Sequence, residues 1–146
     1  MAGLCHTQHL IFAWSEIQVM NGKTILIVDD EIPIAEMFRM ILDAAGYTTI
    51  MTHNAGDVPA ILSSSAVDLM ILDVMMPGTS GFDLIREVHK MDRLARLPVI
   101  FVSAKSDPDD VDEGMGAGAL AYLTKPVSRA ELLAAVERVF KEEAAR

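Results

Sequence analysis

Along the chain, short apolar runs alternate with stretches in which apolar residues recur every three or four positions. The runs are 24–28 (TILIV), 47–51 (YTTIM), 68–73 (DLMILD), 98–103 (PVIFVS) and 119–123 (ALAYL). Each is short enough for a strand, and the stretches between them carry helical signals. Pro33 suits the first turn of a helix running to about Ala45, and Gly46 closes it. A second helix runs from Asn54 to about Leu62, with Pro59 in its early turns, and a third covers 81–91. Asp107 and Pro108 open a fourth over 107–118, with further acids in its first turn. Ser128 and Glu131 are spaced as a capping box for a fifth over 128–143. Five strands alternating with five helices predict βαβ units and a parallel sheet in an α/β fold. The runs 24–28, 68–73 and 98–103 are continuously apolar, as central strands covered on both faces are.

In such sheets ligands sit beyond the carboxyl ends of the strands. The residues found there are Asp29 and Asp30, Asp73, Ser103 and Lys125. Two carboxylates about 4 Å apart repel by on the order of 4 kcal/mol at a protein-like dielectric. Three acids against one lysine therefore call for a divalent, oxygen-liking cation, and Mg2+ fits best. The lysine and the hydroxyl gain a purpose if a phosphoryl group is also present. A carboxylate can itself be the nucleophile and form an aspartyl phosphate. Glu31 reads as a solvated helix-start acid, His53 and His89 as surface residues, and the ten methionines as core filler.

Composition narrows the partners. The 146 residues carry a formal net charge of −9 without a Lys/Arg cluster, which speaks against direct nucleic-acid binding. The single Cys5 excludes an internal disulfide and suits a reducing cytoplasm. No apolar run approaches the ~18 residues of a membrane span. Residues 1–22 differ in pattern from the rest of the chain and read as an appendage or an over-extended start. The Cys5, His6 and His9 spacing is a weak metal signal.

From about Lys23 to Glu143 the chain resembles the receiver domain of two-component response regulators. The stretches that carry this are ILIVDDE, LMILDVMMPGTSGFDLI, PVIFVSAK and GALAYLTKPVSRAEL. The resemblance implies a flavodoxin-like (βα)5 fold with sheet order 2-1-3-4-5 and a receiver domain over 23–146. It implies Asp73 as phosphoacceptor, Asp30 as a direct Mg2+ ligand, Asp29 acting through water, and the Met75 backbone carbonyl as a further ligand. It also implies a cis Lys125–Pro126 bond, Lys125 and Ser103 as partners of the phosphoryl group, and Tyr122 as an aromatic switch. The donor would be a histidine kinase or a histidine phosphotransfer protein, and the domain would catalyse only its own phosphorylation and dephosphorylation. Because the sequence runs out after the fifth helix, an unknown downstream protein or a relay is the expected target.

The alternative reading is a Mg2+-dependent phosphatase or phosphotransferase with an aspartate nucleophile. Such enzymes usually place Asp-x-Asp on the nucleophile strand, whereas Asp73 is followed by Val74 and Met75. An FMN-binding flavodoxin is disfavoured because no Ser/Thr-rich phosphate loop follows the first strand. Two surface expectations remain. Ile34 and Met37 should lie exposed near the acidic rim as part of a docking face. Gly114 and Gly116 should each cost the fourth helix about 1 kcal/mol and fray its end.

Overall fold

The computed structural model describes residues 22–145. The expectations for residues 1–21 lie outside the described residues. The main strands are β1 (Thr24–Val28), β2 (Thr48–Thr52), β3 (Leu69–Asp73), β4 (Val99–Ser103) and β5 (Ala121–Thr124). The helices are α1 (Ile32–Ala44), α2 (Val58–Ser64), α3 (Gly81–His89), α4 (Pro108–Gly116) and α5 (Arg129–Ala144). The strands form one parallel sheet in the order β2-β1-β3-β4-β5. This is the expected flavodoxin-like order, and the chain reverses direction across the sheet between β1 and β3.

Alternation along each strand builds two cores. Ile25 and Ile27 of β1 join Phe38 and Leu42 of α1 and Leu132, Val136 and Val139 of α5. Leu26 and Val28, one position out of phase, join Val58 and Leu62 of α2 and Ile85 and Val88 of α3. Helices therefore cover both faces, and β3 and β4 are buried along their whole length. The polar groups at their carboxyl ends are left facing one rim.

Several expectations need correction. Ile34 is half-buried against the α1/α5 core because it lies one turn before Phe38, on the same helix face. Ile32, Met37 and Met40 are the large apolar side chains of α1 that lie exposed. The methionines are not core filler as a class. Met70 is buried, but Met37, Met40, Met75, Met91 and Met115 are exposed, since they fall on solvent-facing helix arcs or in connections. His53 and His89 are half-buried and hydrogen-bonded rather than free on the surface, to the carbonyls of Asp29 and Leu97 respectively. Asp107 occupies the N-cap position of α4, but its side chain makes no capping hydrogen bond. Gly114 is no frayed end: it is buried against three aromatic rings.

Candidate functional site

β1 ends at Val28 and delivers Asp29 and Asp30 to the rim, while β3 ends on Asp73 itself. Asp29 and Asp73 are buried and Asp30 is half-buried. Each offers an oxygen, and these oxygens lie within 4.8 Å of one another. Ser103, fully buried, closes β4 one residue beyond Val102, the strand partner of Asp73. Its hydroxyl accepts a hydrogen bond from the Lys105 N–H at 3.1 Å. The Lys125–Pro126 bond is cis, as expected. The Lys125 backbone N–H donates to the Ser103 carbonyl at 2.9 Å, which ties the end of β5 to β4.

The Lys125 ammonium is the centre of charge. It lies 2.9 Å from Asp29 Oδ2, 2.9 Å from Glu31 Oε1 and 3.3 Å from Asp73 Oδ2. Burial alone would pull its pKa down, but the Glu31 and Asp29 carboxylates outweigh that and hold it above the ordinary lysine range. Asp73 shows the opposite imbalance. Burial, and then the nearby Asp29 charge, push its carboxyl from 3.8 to about 6. Lys125 and the Met75 N–H, which donates to Asp73 Oδ1 at 3.1 Å, offset only part of this.

Asp29 bears on what the cluster can hold. Its Oδ1 accepts from the Glu31 N–H at 2.9 Å, but its Oδ2 is buried without a hydrogen bond and touches the ammonium as an ion pair. An all-oxygen donor set with one under-satisfied buried oxygen and surplus negative charge suits a hard divalent cation such as Mg2+. An open cleft of about 670 Å3 lies beside the cluster, lined by Asp30, Met75, Met76, Lys105 and Glu113 among others.

The segment after Asp73 is held tightly. Met75–Met76 pairs with Thr79–Ser80 in a two-stranded antiparallel ribbon, and the Ser80 hydroxyl caps α3 by accepting from the Phe82 N–H. Gly81 opens α3, and its N–H donates to the Val74 carbonyl at 2.9 Å. A Cβ at Gly81 would lie 2.6 Å from the Asp73 carbonyl oxygen, so the helix approaches the strand end as closely as glycine allows.

Asp29, Asp30, Asp73, Ser103 and Lys125 are thus gathered at one rim, as read from the strand ends. Tyr122 lies on β5, three residues before Lys125. Its ring is 6.1 Å from that of Phe101, and its hydroxyl donates to the Lys105 carbonyl at 2.8 Å. Two participants escaped the sequence reading. Glu31 is an ion-pair partner of Lys125 rather than a merely solvated acid, although its place beside two site acids was a signal. His53 Nδ1 lies 3.0 Å from the Asp29 carbonyl, a contact that nothing in the local sequence announces.

The chain is 41% identical over 122 residues to the phosphate regulon transcriptional regulatory protein PhoB of Pseudomonas aeruginosa, covering 84% of this chain and 53% of that protein. It is 38% identical over 121 residues to the transcriptional regulatory protein GltR of the same species, covering 83% and 50%. The chain spans about half the length of the curated relatives it matches. Among solved structures it resembles the chemotaxis response regulator CheY4 of Vibrio cholerae, with a TM-score of 0.76 at 29% identity, covering 80% of this chain and 98% of that one. Residues 25–137 match the response regulator receiver domain, and the chain belongs to that family of signalling domains.

Proposed function

We propose that Asp73 accepts a phosphoryl group from a phosphohistidine of a kinase or phosphotransfer protein, and that this switches the surface the domain offers to other proteins. The observation that carries the reading is Asp73 itself: a buried carboxylate at a strand end, shared with Lys125 and faced by two further acids. In the transfer, an Asp73 carboxylate oxygen bonds to phosphorus while the bond from phosphorus to the histidine nitrogen breaks. The electron pair leaves with the imidazole. Asp29, Asp30, Asp73 and the Met75 carbonyl would hold Mg2+, which when bound neutralises phosphoryl oxygens and relieves the repulsion among the acids. Lys125 supplies positive charge to a phosphoryl oxygen, and Ser103 a hydroxyl donor. Tyr122 follows the movement of the loop that begins at Ser103.

On this reading the domain acts only on its own phosphoryl group and turns over no external substrate. The test is incubation with acetyl phosphate and Mg2+, followed by intact mass. Wild type should gain one phosphoryl group, and Asp73→Asn none. Phosphate on the Asp73→Asn protein would refute the assignment.

A further inference from the structure

Glu31 occupies the N-cap position of α1, where an acidic side chain ordinarily accepts from the first-turn N–H groups. It makes no such bond. Its backbone N–H is fixed by Asp29 Oδ1 at 2.9 Å, and its carboxylate reaches a residue 94 positions away, the Lys125 ammonium, at 2.9 Å. An ammonium has three donors, and here three carboxylates face it, those of Asp29, Glu31 and Asp73. Of the three, Glu31 alone is exposed, at 56% of its side chain, against 3% and 4% for Asp29 and Asp73. It is therefore the partner whose carboxylate water can solvate at little cost when the contact opens.

We infer that Glu31 is a positioning residue that retains Lys125 at the mouth of the site and so opposes its engagement with the phosphoryl group on Asp73. This rests on the receiver function proposed for the same site. In the resting state Lys125 is divided among Asp29, Glu31 and Asp73. Once Asp73 carries a phosphoryl group, Lys125 has a new, more highly charged partner, and the contact with Glu31 is the one given up. Glu31 thereby raises the threshold of the switch without touching the reacting atoms. The pair is partly exposed, so its effect is of the size of surface ion pairs, about two- to fivefold in an equilibrium.

The experiment measures binding of beryllofluoride, a phosphoryl mimic, in the presence of Mg2+ by calorimetry. It compares wild type with Glu31→Gln, which removes the charge, and Glu31→Asp, which keeps the charge but shortens the reach by one methylene. Both variants should bind the mimic about two- to fivefold tighter than wild type. If only Glu31→Gln binds tighter, net charge and not the contact is responsible, and the inference is overturned. If neither changes, it is overturned as well. Beryllofluoride that fails to bind wild type, or that binds Asp73→Asn equally well, would instead overturn the phosphoacceptor reading, and the role of Glu31 with it.

Discussion

A Cβ on Gly114 would lie 2.9 Å from Cδ2 of Tyr122, with Phe101 at 3.1 Å and Phe82 at 3.2 Å behind it. The middle of α4 is therefore seated directly on an aromatic cluster. Gly116, two residues on, has open space at the same position.

These two glycines should respond oppositely to alanine. Gly116→Ala gains helix propensity alone and should stabilise the protein by about 0.5–1 kcal/mol. At Gly114 the same gain is opposed by overpacking of about 1–3 kcal/mol, because three rings must shift together. Gly114→Ala should be net destabilising, by up to about 2 kcal/mol in urea unfolding, and should alter Tyr122 fluorescence. Two stabilising substitutions would mean that the rings yield freely.

Asp73 should make the metal-free protein less stable at neutral pH than its asparagine variant. The folded-state pKa, about 6, lies above the ordinary 3.8, so the folded protein binds this proton more tightly than the unfolded chain. The resulting stability is fully present below the unfolded value and is lost as pH rises through about 6. Asp73→Asn should thus gain about 1–3 kcal/mol over wild type at neutral pH in EDTA. The gap should shrink as pH falls from about 6.5 towards about 4. Paired urea titrations across that range check it; a gap independent of pH would contradict the proposed origin.

Lys125 carries the reverse expectation. Lys125→Met leaves Asp29 and Asp73 buried beside each other without their cation, a change that should cost about 3–5 kcal/mol at neutral pH in EDTA. Lowering the pH to about 5 should restore part of this, since protonating Asp73 removes the repulsion. Thermal unfolding of the two proteins at both pH values provides the comparison.

Mg2+ should bind through Asp30 and Asp73, and its affinity should fall as pH drops into the range where Asp73 takes up a proton. Asp30→Asn should weaken binding by at least about tenfold. Titration calorimetry measures both, and unchanged affinity would remove Asp30 from the ligand set.

Much of this site is legible in the chain because strand ends are legible. An apolar run that stops at Asp29 or at Asp73 fixes both the burial of the strand and the rim on which the acid must appear. Glu31 is not legible in the same way, because its local signals, an acid followed by Ile32 and Pro33, describe a helix start. Its partner lies 94 residues away and depends on how β5 ends. Gly114 eludes the sequence for a related reason. Helix propensity weighs backbone entropy, whereas the rings of Phe82, Phe101 and Tyr122 that require a bare Cα come from three other elements. The exposed methionines show that hydrophobic character alone does not assign a side; only its phase within a helix does.

The contact between Gly81 and the end of β3 has a mechanical consequence. Asp73, the ribbon beyond it and the first turn of α3 are joined by the Gly81–Val74 hydrogen bond, and the strand end leaves no room for a Cβ at residue 81. This side of the site is stiff. On the other side, Ser103 leads into exposed residues 104–107 before α4 begins, and Tyr122 reaches that loop through one hydrogen bond. Strain introduced at Asp73 therefore meets a rigid wall towards α3 and a compliant one towards α4. The molecule has a built-in direction of yielding, set by a missing side chain at residue 81.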